Sequence, residues 1–405
     1  MSVVFSALMC HAPIVLPAVA GSQASRCRNT TRTMREVAWR ALASQPERLI
    51  LVSPHSPRRR GQWGAWRGRI QGDLGRFGHP AERVDLPGDP WLFEALGLPP
   101  VSSEQELDHG AVVPLRFLVE AGWSGPTTVL ALPWGPAESE AIGARLAELP
   151  GRVAVIASGD MSHRLIPDAP AGFHPRAVDF DAAFVEALLA RQSVRGLPWQ
   201  EEAAEDVVDS TRVALASAPR LNDQVLSYEG PWGVGYTQAV FHDESPPLWA
   251  IARSAIAAKL RGERYRPPPG PPSQGVFCTL TVEGRLRGCI GHIEPVYRDL
   301  HQELAELAVA AATQDPRFPP VSVKEQWDLE IEVTLLDPPQ PGRPRDPRSE
   351  GCIVQAGQRR GLLLPDIQGV DSVEEQIAIC LRKARIGPEE EVELFRFGSA
   401  KVAPP

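Results

Sequence analysis

Short apolar runs alternate with stretches of helical periodicity in the first part of the chain. Val3–Met9, Leu49–Val52 and Val153–Ala157 are almost entirely apolar. Runs without polar alternation are typical of strands that are buried on both faces of a parallel sheet. Apolar residues between the first two runs recur at helical spacing from Met34 to Leu42. The pattern therefore predicts an α/β domain with a mostly parallel central sheet covered by helices.

Further elements of this domain follow from the same two patterns. Strands are predicted at 127–132, 224–228 and 234–241, and helices at 137–149, 178–189 and 201–216. One more helix is predicted from Glu104 onward, with Ser103 as its N-cap and Glu106 at the capping-box spacing.

The pattern changes after Asp243–Pro247. An amphipathic helix is predicted at 248–260, and further helices at 300–311 and 375–385. Alternating apolar and polar residues predict strands at 276–282 and 329–334, and a hairpin around Gly357. We therefore predict a smaller C-terminal α+β domain, with domain limits at 1–243 and 247–400.

Three of the predicted strands are each followed closely by a histidine: His11, His55 and His163. The carboxyl ends of parallel strands meet at one edge, and open α/β sheets bind ligands there. Two histidines and one carboxylate hold Fe(II) while leaving faces open for substrate and dioxygen. We therefore expect His11 and His55 to hold a metal ion, with the carboxylate coming from elsewhere in the chain.

Acidic residues at the start of one predicted helix offer that carboxylate: Glu201, Glu202, Glu205 and Asp206. His163 and His109 then remain as an acid/base pair, because a free imidazole can take a phenolic proton and return it. Simpler interpretations stay open for both sets. A lone histidine after a strand is usually hydrogen-bonded within its loop, and acidic residues at a helix N-terminus stabilise the helix dipole.

A basic, aromatic segment, Arg58–Arg69, follows His55. Long loops beside a strand-end site are more often functional than not. We predict a lid that attracts a substrate carboxylate, with Arg58 and Arg59 contacting the substrate together with Asp160. The alternative is a solvated surface loop.

Composition narrows the classes of function. The chain has 42 basic and 50 acidic residues, a net charge of -8, which argues against general binding to nucleic acid or anionic membranes. No apolar stretch is long enough to predict a transmembrane helix, and no Lys or Arg precedes the apolar segment Val3–Ala20 as in a signal peptide. The six cysteines are scattered without a C-x-x-C pattern. We therefore expect a cytoplasmic protein with reduced thiols.

Four motifs of the first domain occur in a recognisable order: Cys10–Pro13, Ser53–His55, Asp108–Gly110 and Ser158–His163. Together they resemble the class III extradiol ring-cleavage dioxygenases of the catalytic B-subunit type, a fold that also includes the Memo proteins.

The resemblance implies roles for individual residues. His11 and His55 would be iron ligands, His163 the acid/base and His109 an imidazole that orients the substrate. Glu205 falls where the third ligand is expected. Fe(II) is the implied cofactor, although the sequence does not decide between iron and copper or zinc. Asp160 stands where many of these enzymes have glycine, which favours a Memo-like protein.

The densest motif of the second domain is Leu286–Gly291, followed by His292. Cys289 is a candidate thiolate activated by His292 and Arg287. The simpler interpretation is a small buried thiol in a strand. With Asp315–Phe318, Leu329–Leu336 and Gly361–Pro365, the motif resembles the AMMECR1 domain.

This second resemblance implies a pocket lined by Arg287, Cys289 and Arg317. Domains of the two kinds occur with a radical-SAM protein in AmmeMemoRadiSam systems, so a radical-SAM enzyme is an expected partner. Two hypotheses follow. The first is a cytosolic Fe(II)-dependent dioxygenase of the extradiol type, acting on a catecholic or related aromatic substrate with O₂. The second is a Memo-like metal- or ligand-binding protein that works with a partner enzyme and cleaves no ring.

Overall fold

A computed structural model of the protein describes residues 3–55, 58–101, 107–135, 137–387 and 389–404. The chain divides into two compact units, Met1–Pro247 and Leu248–Pro404. Each unit contains its own apolar core. The predicted fold class is confirmed, because a large, mostly parallel sheet covered by helices is followed by a smaller unit with antiparallel sheets.

The described strands of the first unit form one large sheet and one hairpin. They are β1 (Val3–Met9), β2 (Arg48–Ser53), β3 (Gly64–Trp66), β4 (Ile70–Leu74), β5 (His79–Leu86), β6 (Pro100–Val101), β7 (Thr127–Ala131), β8 (Val153–Ser158), β9 (Gln224–Glu229) and β10 (Tyr236–Asp243). In the described chain the large sheet has the order β6-β3-β7-β2-β8-β1-β10-β9, and β4 pairs with β5.

The centre of the large sheet is parallel, with β7, β2, β8 and β1 side by side. Every residue of β1 and β8 is buried, as expected for strands covered on both faces. On one face, Phe5, Leu51 and Ile156 pack with Met34 and Phe117 from two helices. The carboxyl ends of β2, β8 and β1 therefore lie next to one another at one edge.

Helices of varied length connect these strands. They are α1 (Pro17–Ala20), α2 (Arg28–Ala43), α3 (Pro90–Leu96), α4 (His109–Glu120), α5 (Ser139–Ala147), α6 (Ala177–Leu189), α7 (Gln200–Ala203) and α8 (Val208–Ala216). Helix α2 packs on β1 and on α4, whereas α8 packs on β8 and on α5. No helix within the described ranges is long and apolar enough to cross a membrane.

The helix predicted at 201–216 is broken into α7 and α8. Ala204 has a φ of 54°, a left-handed conformation that ends α7. The Glu205 carboxylate then accepts hydrogen bonds from the backbone N–H groups of Val207 and Val208 and so caps α8. Periodicity cannot detect this break, because the apolar residues keep their helical spacing across it.

Two other predictions differ from the structure. The segment predicted as a lid contains β3, which pairs with β7 in the large sheet, and Trp63 and Trp66 are buried. The helix predicted from Glu104 is described from His109, as α4. Its predicted capping residues, Ser103 and Glu106, lie outside the described residues.

The second unit contains two antiparallel sheets. Its described strands are β11 (Val276–Val282), β12 (Arg285–His292), β13 (Glu330–Leu336), β14 (Gln340–Pro341), β15 (Gly351–Ala356), β16 (Arg359–Leu363), β17 (Glu393–Phe397) and β18 (Ser399–Val402). Its described helices are α9 (Leu248–Leu260), α10 (Leu300–Thr313) and α11 (Val373–Ala384). The sheet orders are β12-β11-β13-β18 and β14-β17-β15-β16. Helices α9 and α10 share a core with the first sheet, and α11 shares one with the second.

Candidate metal centre

Two imidazoles meet at the carboxyl edge of the parallel strands. His11 follows β1 and His55 follows β2, and β8 separates these two strands in the sheet. The Nε2 atoms of the two rings lie 3.0 Å apart, and the ring centroids are 4.7 Å apart. His11 is fully enclosed by protein, whereas 35% of the His55 side chain is exposed. The strand ends thus bring together the two histidines expected to hold a metal.

Asp206 provides the carboxylate next to this pair. Its Oδ2 lies 2.9 Å from His55 Nε2 and 3.4 Å from His11 Nε2. Its Oδ1 accepts a hydrogen bond of 2.7 Å from the backbone N–H of Asp160, and its own N–H donates to the Asp160 carbonyl. The carboxylate is therefore fixed with one oxygen bound to backbone and the other facing both imidazoles.

Glu205, the expected third ligand, forms its hydrogen bonds with the start of α8 and with Gln200. Its Oε2 accepts from Val207 and Val208, as described above, and its Oε1 accepts from Gln200 Nε2 at 2.6 Å. Burial raises the pKa of Glu205 to about 7, although these hydrogen bonds oppose the shift. The carboxylate that faces both imidazoles is therefore that of Asp206 and not that of Glu205, because the turn after α7 directs Glu205 into the cap of α8.

A third imidazole, His109, joins the group from the first turn of α4. Its ring centroid lies 4.6 Å from that of His55 and 5.5 Å from that of His11. One ring nitrogen from each of these three histidines lies within 4.8 Å of the others, which makes them a group able to hold a metal ion. The close approach depends on Gly110, because a Cβ there would come within 2.9 Å of His55 Cδ2. The sequence predicts that His109 orients the substrate, and the structure places it beside the two candidate ligands.

His163 lies at the same edge but outside that three-imidazole group. It comes five residues after the end of β8 and donates from Nδ1 to the carbonyl of Ala204 at 2.8 Å. Its backbone N–H donates to the carbonyl of Ala203. Because the Nδ1 proton is held by a carbonyl, Nε2 carries the lone pair. His163 interacts electrostatically with both His109 and Asp160, which places it beside the centre.

Asp160 lies behind His11 and does not face open solvent. Its carboxylate accepts a hydrogen bond of 2.8 Å from the backbone N–H of His11, and 2% of the residue is exposed. The second oxygen lies 3.7 Å from His11 Nε2. The structure therefore gives Asp160 a contact with a candidate ligand, His11, and its contact with a substrate stays a prediction.

The charges of the centre reinforce one another. Burial favours the neutral form of His11, but the carboxylates of Asp160 and Asp206 outweigh this effect and raise the pKa of His11 to about 9. Burial opposes ionisation of Asp206 as well, yet His11 and His55 hold its pKa well below the ordinary value. Burial, together with the charges of His11 and His55, lowers the pKa of His109 to about 3. The protein thus maintains an ionised carboxylate facing two imidazoles.

The arginines expected to bind a substrate carboxylate are engaged with backbone. Arg58 donates to the carbonyls of Leu132, Pro133 and Pro54, and its guanidinium lies 4.1 Å from the ring centroid of Trp134. Arg59 donates to the carbonyl of Pro100. The structure therefore assigns Arg58 to holding the segments after β2 and β7 together, which the lid prediction did not foresee.

A buried carboxylate supports the loop that carries His163. Asp181 of α6 accepts hydrogen bonds from the backbone N–H of Ser162 at 2.9 Å and from the hydroxyl of Tyr228 at 2.8 Å. Burial raises the pKa of Asp181 to about 6, against the opposing effect of these bonds. Asp181 interrupts the apolar pattern of α6 at a buried position, and a polar residue at such a position is the signal in the sequence that marks it.

Replacement of Asp181 by asparagine is expected to change how stability depends on pH. The folded-state pKa is raised above the unfolded value, so the stability gained from the protonated carboxyl is lost as pH rises through about 6. Between pH 5 and pH 8 the free energy of unfolding of the wild type should fall by about 1.4 kcal/mol relative to that of Asp181→Asn. This is the value for one pH unit, from pH 5 to the folded-state pKa of about 6. Urea unfolding of both proteins at the two pH values measures this difference. A difference that does not change with pH would contradict the raised pKa.

In the second unit, Cys289 and His292 lie on opposite faces of β12. Thr279 pairs with Cys289 across the strands, and the Thr279 hydroxyl lies 3.4 Å from the thiol sulphur. His292 points the other way, with its Nδ1 2.5 Å from Glu303 of α10. Residues three apart on a regular strand face opposite sides of the sheet. The predicted pairing of thiolate and imidazole is therefore not formed.

The two arginines of the predicted second pocket are bound by carboxylates. Arg287 forms a two-point ion pair with Glu325. Arg317 forms another with Asp315, and this pair also binds the backbone of Cys289: Asp315 accepts its N–H at 2.9 Å and Arg317 donates to its carbonyl at 3.1 Å. Arg287, Cys289 and Arg317 are thus neighbours, but the arginines have structural partners.

Comparisons with known families match both parts of the chain. A family model described as the catalytic LigB subunit of aromatic ring-opening dioxygenase matches residues 6–237. The AMMECR1 family model matches residues 249–402.

Similar proteins come from bacteria and archaea. A protein of Clostridium acetobutylicum, CA_C1420, is 28% identical over 457 residues, covering 96% of this chain and 97% of that protein. A Thermotoga maritima protein is 53% identical over 129 residues, covering 30% of this chain and 74% of its own length. Among solved structures, the uncharacterized protein PH0010 from Pyrococcus horikoshii is 33% identical, with a TM-score of 0.35, and the match covers 38% of this chain and 88% of that chain.

Proposed function

Because the chain belongs to the family of the catalytic LigB subunit of aromatic ring-opening dioxygenases and carries an AMMECR1 domain after it, we propose that its first unit is a non-haem Fe(II) dioxygenase of the extradiol type. Its substrates would be a catecholic or related aromatic compound and O₂. The observation that carries this proposal is the convergence of His11 Nε2, His55 Nε2 and Asp206 Oδ2 at one strand edge.

The donor set fits a metal of this kind. Two neutral imidazole nitrogens and one carboxylate oxygen are the ligands of non-haem Fe(II) oxygenases. The three donor atoms face one another at 2.9 to 3.4 Å, and His109 adds a fourth donor nearby. When bound, ferrous iron supplies redox chemistry and open coordination positions for substrate and dioxygen. The residues around it supply orientation, exclusion of water and proton transfer.

His163 is proposed as the acid/base. Its Nδ1 proton is held by the carbonyl of Ala204, so its Nε2 lone pair is free to take a phenolic proton from the substrate and to return it later. The second hydrogen bond, from its backbone N–H to Ala203, fixes the loop. General acid/base catalysis needs this fixed orientation more than it needs strong basicity.

The aromatic character of the substrate is supported by Phe77. The residue is 46% exposed, and the centroid of its ring lies 5.2 Å from that of His109 in an edge-to-face arrangement. An exposed aromatic ring beside the candidate ligands offers an apolar surface for a planar substrate. His109 would then orient a substrate oxygen from the adjacent side.

The test is iron content and oxygen consumption of protein purified without oxygen, loaded with Fe(II) and supplied with catechols that carry different ring substituents. Wild type should hold stoichiometric iron, consume O₂ and form a yellow ring-opened product. His55→Ala should lose the iron. His163→Gln should keep the iron and lose turnover by about 100-fold or more.

His174→Gln is the matched control, because His174 lies in the same loop and its Nδ1 accepts a hydrogen bond from the backbone of Arg176. This variant should retain both iron and turnover.

Metal bound through His55 without oxygen uptake would replace the proposal with a Memo-like metal-binding protein that acts with a partner such as a radical-SAM enzyme. The carboxylate of Asp160 beside His11 favours that second candidate, since it adds negative charge that the three-ligand set does not require. Wild type without metal affinity would contradict both candidates.

A further inference from the structure

Ser158, the last residue of β8, forms two hydrogen bonds beneath the candidate metal centre. Its Oγ lies 2.5 Å from the carbonyl oxygen of Gly110 and 3.0 Å from His11 Nδ1. Ser158 is completely buried, and 1% of His11 is exposed, so bulk water does not reach these contacts.

The direction of both hydrogen bonds follows from the available protons. A carbonyl oxygen only accepts, so the single hydroxyl proton of Ser158 points to Gly110. The hydroxyl then has only lone pairs to offer to His11, and Nδ1 of His11 is therefore the donor. Since Nδ1 carries the proton, the neutral ring has its lone pair on Nε2.

That lone pair is the one the centre needs. His11 Nε2 is the atom that lies 3.0 Å from His55 Nε2 and 3.4 Å from Asp206 Oδ2. We propose that Ser158 is a positioning residue that fixes His11 in the tautomer able to bind a metal through Nε2. This inference rests on the proposed metal site, but it does not require ring cleavage.

The same serine also connects three elements of the site. Gly110 follows His109 in the first turn of α4, His11 follows β1, and Ser158 ends β8. A change at Ser158 leaves the Gly110 carbonyl and the Nδ1 proton without partners in a buried position. Replacement of a residue that hydrogen-bonds to a metal ligand commonly lowers metal affinity by about 10- to 100-fold.

The experiment compares metal affinity of the full chain in Ser158→Ala and Ser6→Ala. Ser6 is a matched control, because it is also a completely buried strand serine, and its hydroxyl donates to the carbonyl of Ala214 at 2.7 Å rather than to a residue of the metal centre. Fe(II) is titrated in the absence of oxygen against a chelator of known affinity. Ser158→Ala should bind about 10- to 100-fold more weakly than wild type. The affinity of Ser6→Ala for Fe(II) should stay within about threefold of wild type, because Ser6 forms no hydrogen bond with a candidate metal ligand.

A second measurement reads the tautomer directly. The NMR spectrum of zinc-loaded wild type with ¹⁵N-labelled histidine should show a proton on His11 Nδ1 that exchanges slowly with water. In Ser158→Ala this proton should exchange faster. Equal affinity losses in the two serine variants, or a His11 without an Nδ1 proton in the zinc-loaded wild type, would overturn the inference while leaving the metal site intact. Wild type that binds neither metal would overturn the inference together with the proposed function. Should Ser158→Ala fail to fold, Ser158→Cys is measured in its place, and weaker metal binding is again expected because a thiol is a weak hydrogen-bond partner.

Discussion

Replacement of Asp206 by asparagine is expected to lower the affinity for Fe(II) by about 100-fold or more. Replacement of a residue that only hydrogen-bonds to a metal ligand already lowers metal affinity by about 10- to 100-fold. Asp206 Oδ2 faces both imidazoles directly, at 2.9 and 3.4 Å. The substitution keeps the volume and one acceptor for the Asp160 N–H, so it removes charge without opening a cavity. Titration of Fe(II) against a chelator in the absence of oxygen measures the loss.

Glu205→Gln is the matched control, since it neutralises the adjacent carboxylate without a change in size. Its amide oxygen can still accept from Val207 and Val208, which now bind Oε2. We expect iron affinity within about threefold of wild type, because Glu205 caps α8 and forms no hydrogen bond with the candidate ligands. If Glu205→Gln loses iron and Asp206→Asn keeps it, the assignment made from the family resemblance is restored.

Replacement of Gly288 by alanine is expected to destabilise the second unit by about 2–3 kcal/mol. Gly288 lies on β12, and an added Cβ would overlap the backbone carbonyl oxygen of Ala311 in α10. A backbone atom of a packed helix cannot rotate aside as a long side chain can, so the strand and the helix would have to separate. Hydrogen exchange of peptides from the second unit, measured on the full chain, would show faster exchange in β12 and α10.

Gly387→Ala serves as the comparison for this substitution. A Cβ at Gly387 would meet only the Glu390 side chain, with Oε1 at 3.4 Å and Cγ at 3.8 Å, which are ordinary van der Waals distances. Its effect on exchange should be within error of wild type. Equal exchange in the two variants would show that the close contact between β12 and α10 relaxes without cost, contrary to the packing argument.

The central sheet could be predicted from the sequence because its signal is strong. β1 begins and ends at the predicted residues, and β2 and β8 extend the predicted runs by one or two residues. A strand covered on both faces needs a continuous apolar run, and such runs are rare elsewhere. The convergence of His11 and His55 followed from those strands alone.

Elements with weaker patterns were missed. β3 has three residues, and half of the residues of β5 in the β4–β5 hairpin are exposed. Such strands are held by neighbours in the fold, which the local sequence does not reveal. The position of His109 depends likewise on α4, since nothing in the chain near residue 109 indicates the distance to His55.

The identity of the carboxylate is the most instructive difference. The acidic cluster was recognised, but four candidates within six residues can be separated only by backbone geometry. The left-handed Ala204 turns the chain so that Glu205 and Asp206 point to different partners. A one-residue shift in the turn exchanges their roles, and spacing along the sequence cannot resolve it.

The ion pair of Asp315 and Arg317 has a consequence for self-association. β12 is an edge strand, and edge strands present free N–H and C=O groups to which a strand of another molecule can add. At Cys289 both groups are already bound, the N–H by Asp315 and the carbonyl by Arg317, as a neighbouring strand would bind them. Two side chains separated by one residue thus occupy both outward-facing backbone groups of Cys289, so a strand of a second molecule cannot pair with β12 at this residue.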